Sequence, residues 1–402
     1  MGTSRRLELA RPALALRRLI DTTPIRRSGS SPLAIVLSGG GARAAYQTGV
    51  LSYVCRRVPS LSVPIVTGVS AGAINAAFLA AQGGPLDTAV EALKRRWCSL
   101  TTEQVFRADP VSLTGIGARW LYRLFSGGAR LGPEVRGLVD NRPLREFLLG
   151  TIDFPAIETN IQEGRLRAAA ITATSYSTGQ TVTFVQGEPG ISTWERGNRV
   201  AVHASLTVDH VMASAALPVL FPATRLGSEY FGDGSLRQRT PLAPAVHLGA
   251  GRLFAISTRY PRTAEEAAGS EPEGYPPPAR VAGLLFNSIF LDALDEDAAR
   301  LDRINELLGR IPEGPSRPQD LRPVELLVLR PSQDLGRLAA EYAEHLPGFL
   351  RFLVSGIGAR HSESSDLLSY LLFESAYISR LIELGEKDGE RNWPRVEAFL
   401  AP

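Results

Sequence analysis

Cysteine is nearly absent from this chain of 402 residues: Cys55 and Cys98 are the only two. They could close at most one bridge, so disulfides do not drive the fold. Long apolar runs are missing as well. No stretch of about 18 residues stays apolar and uncharged, so no membrane-spanning helix is expected. Arginines punctuate LARPALALRRLI near the start, which denies it the uninterrupted apolar core of a secretory signal. A dominant charge of one sign is also lacking, since 44 Lys and Arg face 41 Asp and Glu, a net charge of +3. What excess there is lies at the front: residues 1–30 carry seven arginines against Glu8 and Asp21, a balance of +5. Residues 1–32 therefore read as a basic flexible tail, either plainly solvated or drawn to an anionic membrane surface. The expected location is cytoplasmic, with peripheral membrane contact open.

Apolar residues are plentiful, at 44% of the chain, enough for one large domain with an appendage. PLAIVL (32–37) precedes a glycine cluster and an amphipathic stretch, AAYQTGVLSYV (44–54). PIVTGV (64–69) precedes AGAINAAFLAA (71–81), and LRAAAITATSY (166–176) is followed by STGQ and TVTFVQG, a hairpin pattern. RLFAIST (252–258) and VELLVL (324–329) are two further buried-strand patterns that would join the same core. Strands alternating with helices predict an α/β fold whose mostly parallel sheet is covered on both faces. Residues 86–150 read as helical, with an apolar cluster at Trp120, Leu121, Tyr122, Leu124 and Phe125. Residues 261–279 and 311–323, rich in Pro, Gly and charge, read as loops. Leu291, Leu294, Ala298, Leu301, Ile304 and Leu308 fall at helical spacing. So do Leu367, Leu368, Leu371, Leu372, Ile378 and Leu381, with Gly385 as a stop signal. The last third is thus expected to be mostly helical and to serve as structural support.

Three clusters carry chemistry. GVSAG, residues 68–72, matches G-x-S-x-G, in which a serine sits on a sharp strand-to-helix turn between neighbours without bulk. Small residues also occur where a strand and a helix merely pack closely. SGGGARAAY, residues 38–46, likewise comes after a strand pattern, and its three glycines free backbone N–H groups to face an anion. A dinucleotide site would want glycine at residue 44, which is Ala44, and an acidic residue after the next strand, which is missing. The other reading is an oxyanion hole whose donors, together with Arg43, hold a tetrahedral intermediate. A serine nucleophile needs a base. None of His203, His210, His247, His345 and His361 has a convincing context for one. Asp233, in YFGDGSLRQRTPLAPAVHLGA (230–250), lies between Gly232 and Gly234; alone, such a D-G is usually a turn.

Together and in this order, the three clusters resemble the patatin-like phospholipase family. ASAALPVLFPATRL (213–226) and PLAPAVHLGA (241–250) resemble the family's segments before and after its aspartate, so the likeness spans about residues 33–250. The resemblance implies a three-layer α/β/α core, with residues 251–402 as a mostly helical C-terminal extension. It also implies Ser70 as nucleophile on an elbow framed by Gly68 and Gly72, Asp233 as the base of a Ser–Asp dyad, and Gly39, Gly40, Gly41 and Arg43 as the oxyanion loop. Two departures stand out: Ala44 occupies a position usually glycine, and Ser235 replaces the last residue of D-G-[GA]. The implied activity is hydrolysis of ester bonds in phospholipids, lysophospholipids or related glycerolipids through an acyl-enzyme, with no metal or organic cofactor and no nucleic-acid partner. A transacylase with the same dyad, or a nucleotide- or lipid-binding protein without turnover, are the alternatives.

Overall fold

The computed structural model describes residues 31–107, 137–263, 265–266, 278–290, 292–312, 321–342, 344 and 366–401. The basic tail up to residue 30, the Trp120–Phe125 cluster, Leu291, most of the two expected loops, His345 and His361 lie outside the described residues.

Among the described residues ten strands form one sheet: β1 (Leu33–Leu37), β2 (Ile65–Val69), β3 (Ala168–Ser175), β4 (Thr181–Gly187), β5 (Glu195–Arg196), β6 (Arg199–His203), β7 (Thr224–Leu226), β8 (Glu229–Asp233), β9 (Arg252–Ile256) and β10 (Glu325–Leu329). Their order is β10-β9-β1-β2-β3-β4-β6-β5, with β7 and β8 branching from β3. From β10 through β3 every neighbour is parallel, whereas the expected hairpin sets β4 antiparallel on β3. Both strand patterns beyond residue 250 therefore belong to the central sheet.

Side chains of a strand alternate between faces, so a strand apolar throughout supplies two cores. Leu33, Ile35, Leu37, Ile171, Phe254 and Ile256 pack into one cluster. Ala34, Val36, Ala168, Ala170, Leu253 and Ala255 pack into the other. Helices cover both faces, and the fold is α/β.

The helices that matter for the site are α1 (Ala45–Arg57), α2 (Ala71–Ala81), α3 (Leu86–Ser99) and α4 (Val208–Ser214), together with α5 (Asp366–Leu371) and α6 (Ser375–Arg391). None of the helices among the described residues is long and apolar enough to cross a membrane. Two sequence expectations need correction. The stretch expected to be amphipathic is buried on nearly every side, from Ala45 through Ser52. Helix α6 covers the outer side of this stretch, and exposure returns only at Arg56 and Arg57. Gly385 does not stop a helix either, because α6 runs on to Arg391. Its real work is close approach: a Cβ at Gly385 would overlap the Tyr46 carbonyl, and one at Gly49 would overlap the Ile382 carbonyl. Two glycines thus let the α1 and α6 backbones touch, and Tyr46 Oη then donates to Asp388 Oδ2 at 3.2 Å.

Gly385→Val should force the two helices apart and destabilise the protein by about 1–3 kcal/mol or more, as overpacked cores do. Gly309→Ala, with nothing within 4 Å of the added methyl, is the control and should be neutral or slightly stabilising. Denaturant midpoints of the two variants check this.

Candidate active site

Strand β3 decides where the site lies. Ala173 and Thr174 pair with β4 on one edge and with β8 on the other. The edge that takes β8 is the one β2 occupies one residue earlier, where Val69 pairs with Thr172. Strand β2 runs parallel to β3 and β8 antiparallel, so the two approach each other head-on along a single edge. Ser70 comes directly after β2, and Asp233 is the last residue of β8. Residues far apart in sequence are thereby brought face to face.

Ser70 has φ +55° and ψ −131°, a region a residue with a Cβ rarely visits. The turn is pinned from behind. The Ser70 N–H donates to Ser214 Oγ at 2.9 Å, and that hydroxyl donates to the Thr172 carbonyl at 2.6 Å. Glycines of the motif serve close approach. A Cβ at Gly72 would overlap the Leu37 carbonyl at the end of β1, and one at Gly68 would overlap Gly72 itself. Helix α2 can therefore start hard against the sheet, with its N-terminus beside Ser70. Its dipole favours negative charge there.

Residues 39–41 fold over the same point. Gly40 has φ +148° and Gly41 φ +56°, and Cβ atoms there would strike Thr258 and the Tyr370 carbonyl respectively. A Cβ at Gly39 would come within 2.9 Å of Ser70 Cβ. Among the described residues, none accepts a hydrogen bond from the N–H groups of Gly39, Gly40 or Gly41. Three free donors thus gather beside the serine. The loop is held by Thr258 Oγ1, which donates to the Gly39 carbonyl at 2.7 Å, and by Gln47 Nε2, which donates to the Ser38 carbonyl at 2.8 Å. Gln47 Oε1 accepts from Asn75 Nδ2 at 2.9 Å, and Asn75 Oδ1 accepts from Trp97 Nε1 at 2.8 Å. This buried chain ties α1, α2 and α3 to the loop. Ala44 needs no glycine, since its φ of −65° is ordinary helix.

Asp233 is fully buried, and its Oδ1 accepts the Ser235 N–H at 2.9 Å. Burial pushes its carboxyl up to about 6, against the pull of the Ser70 hydroxyl, the Ser235 N–H and the Ser235 hydroxyl, which favour the ionised form. Both hydroxyls lie close, yet neither forms an aligned hydrogen bond, and Oδ2 is a buried acceptor without a partner. Such a group costs stability and is held in place by the rest of the fold. In unliganded sites these bonds are often loose and tighten only around substrate.

Arg43 departs from the sequence reading. Its guanidinium turns away from Ser70 and is buried against α5, with Nη2 2.9 Å from Asp366 Oδ1 and Nε donating to Ser369 Oγ at 2.6 Å. It also lies 4.5 Å from the centre of the Tyr370 ring. Burial works against its charge, but Tyr370 and Asp366 outweigh that and hold its pKa above the ordinary value. Arg43 anchors the loop through its side chain, whose Nε and Nη2 are engaged by Ser369 and Asp366. The histidines have other employments. His210 packs edge-on to Phe184 and contacts the Thr207 hydroxyl, His247 stacks on Trp194, and His203 is an exposed strand end. Among the described residues no group of three or more His, Cys, Asp or Glu is placed to hold a metal ion.

From Ser70 and Gly41 an apolar cavity runs between α2 and α3, walled by Ile74, Phe78, Leu93, Trp97, Leu148 and Phe221. A hydrocarbon chain would lose no hydrogen bond on entering it.

The sheet is that of an α/β protein, and it brings the elbow serine and the buried aspartate to one point. A model of the patatin-like phospholipase family matches residues 35–246, more than half of the chain, and the protein belongs to that family. Among solved structures it is similar to human GIVD cytosolic phospholipase A2, at 11% identity and a TM-score of 0.46 over 96% of this chain and 62% of that one. It is also similar to VipD from Legionella pneumophila, at 14% identity and a TM-score of 0.30 over 95% of this chain and 72% of that one. A third is the type III effector protein ExoU, at 13% identity and a TM-score of 0.25 over 86% and 78%. The chain thus spans less than two thirds of the human phospholipase chain. No curated protein matches it.

Ser214, Thr258, Asp366 and Ser369 were not singled out from the sequence. Ser214 stands inside the ASAALP stretch, which could have drawn attention to it; the others carry no local signal. Asp366→Ala leaves the Arg43 charge buried without its partner, and should cost about 3–5 kcal/mol in stability. Asp366→Asn, which keeps an acceptor, should cost less. Thermal or denaturant unfolding of both variants measures the difference.

Proposed function

We propose that this protein is a serine acyl hydrolase that cleaves carboxylic ester bonds of glycerolipids, phospholipids or lysophospholipids among them. One observation carries the reading: a serine held at positive φ faces a buried, incompletely bonded carboxylate beneath three free backbone donors. As Ser70 Oγ attacks the ester carbonyl, Asp233 takes its proton. The carbonyl oxygen becomes an oxyanion and accepts from the N–H groups of residues 39–41. Collapse expels the alcohol, which leaves with the proton from Asp233, and the acyl group stays on Ser70. Water then attacks the acyl-enzyme while Asp233 takes a proton from it, and collapse breaks the bond between Ser70 Oγ and the acyl carbon, returns that proton from Asp233 to Ser70 and releases the free acid. The apolar cavity beside Ser70 receives the acyl chain. On this reading residues 33–250 carry the reacting groups, and residues 251–402 hold them through β9, β10 and the Arg43–Asp366 pair.

A carboxyl whose pKa sits near 6 is ionised at neutral pH yet basic enough to accept a proton in the transition state. Because the ionised form is the active one, kcat/KM should rise with pH through about 6 and be lost below it. Ser70→Ala should abolish hydrolysis of short-chain esters, and Asp233→Asn should lower kcat by about 10²- to 10⁴-fold, the range of general-base catalysis. Substitution of His203, His210 or His247 should be mild. Retained turnover in Ser70→Ala, or a histidine variant as inactive as Asp233→Asn, contradicts the proposal.

A further inference from the structure

We infer that the Ser235 hydroxyl is a positioning residue for the base: it donates to Asp233 Oδ2 and thereby sets the pH at which the site becomes active. The inference rests on the reading of Asp233 as base. Two buried side-chain atoms at this turn have no partner: Asp233 Oδ2, which can only accept when ionised, and Ser235 Oγ, which can donate. Both belong to one short turn, whose backbone already joins them through the Ser235 N–H to Oδ1. The Ser235 hydroxyl is also near enough to favour the ionised form of the Asp233 carboxyl.

The surroundings leave the hydroxyl little else to do. Ser235 is 7% exposed, and its Oγ lies so close to Gly39 that a methyl group there would come within 2.9 Å of it and of Ser70 Cβ. The hydroxyl is therefore wedged between the loop of free N–H donors and the Asp233 carboxylate. The other groups that face Asp233 are neutral. Ser70 comes from the elbow, Tyr176 lies just past β3, and Tyr370 comes from α5. Burial and the Asp233 charge raise the Tyr176 pKa, and burial raises that of Tyr370, so both phenols stay protonated through the pH range of interest. Among the described residues no cation contributes to the Asp233 shift. Donation by the Ser235 N–H and by the Ser70 and Ser235 hydroxyls is then what keeps the carboxylate ionised against burial, and Ser235 supplies the hydroxyl that glycine or alanine at this position lacks.

The test is the pH profile of kcat/KM for Ser235→Ala, which keeps the backbone N–H and removes only the hydroxyl. Losing a donor to the ionised form raises the carboxyl pKa, so the acid limb should move to higher pH by about half a unit to one unit. A one-unit move makes the variant about tenfold less active than the native enzyme well below the limb, with the two converging above it. Ser235→Gly should show the same displacement, and Ser235→Thr, which returns a hydroxyl, should bring the limb back towards its native position. An acid limb that does not move, a loss uniform across pH, or a displacement that threonine leaves unchanged overturns the inference. Asp233→Asn separates the two readings: if it retains the native profile, Asp233 is not the base. If it is inactive while Ser235→Ala keeps the native limb, only the role of Ser235 fails.

Discussion

Strand β3 carries two partners on one edge, and the site depends on that sharing. Strand β2 leaves the edge at Thr172, and β8 takes it up at Ala173 from the opposite direction. A strand offers one row of hydrogen-bonding groups per edge, so the two cannot overlap and must meet end to end. Ser70, just past β2, and Asp233, at the end of β8, are then fixed against each other by backbone pairing rather than by side-chain contact. Thr172 marks the junction: its carbonyl accepts from Ser214, and the backbone there leaves no room for a side chain on Gly234. Shifting the register of either strand by one residue would turn Ser70 or Asp233 to the wrong face.

Two features of this junction are unfavourable by themselves. Positive φ at a serine costs about 1–3 kcal/mol, and burying a carboxylate with an unfilled acceptor costs more in the same direction. Asp233 titrates near 6, above its ordinary range, so its contribution to stability is greatest at low pH and is lost as pH rises through about 6. The ionised form, the one a general base requires, is thus the form the fold disfavours. Compensation comes from a large buried frame: the Gln47–Asn75–Trp97 chain, the Ser214 bridge, and the Arg43–Asp366 pair that ties the loop to the C-terminal helices. A rigid frame of this sort supports strain locally because its packing is settled elsewhere.

Much of this was legible in the sequence, for definite reasons. Buried parallel strands write themselves as continuous apolar runs, so β1, β2, β9 and β10 could be read directly. A strained elbow and a donor loop need residues without bulk, and GVSAG and SGGGAR state that need within a few positions. What escaped was whatever depends on a distant partner. Nothing near Arg43 reveals that Asp366 and Ser369 draw its side chain away from Ser70. Gly385 looks like a helix stop until the Tyr46 carbonyl is found pressed against it. The burial of Ala45–Ser52 is invisible without α6, and nothing near Ser235 in the sequence shows that its hydroxyl and the Asp233 carboxylate are both left without a partner. Local chemistry was readable, and long-range packing was not.

The central claim is that Ser70 is an activated nucleophile, and the most direct measurement is the site of covalent reaction with a fluorophosphonate. Peptide mapping of the treated protein by mass spectrometry should place a single stoichiometric adduct on the peptide containing Ser70. Labelling should be absent from Ser70→Ala and much slower in Asp233→Asn. An adduct on a different serine, or a native protein that takes up no label while folded, would contradict the account.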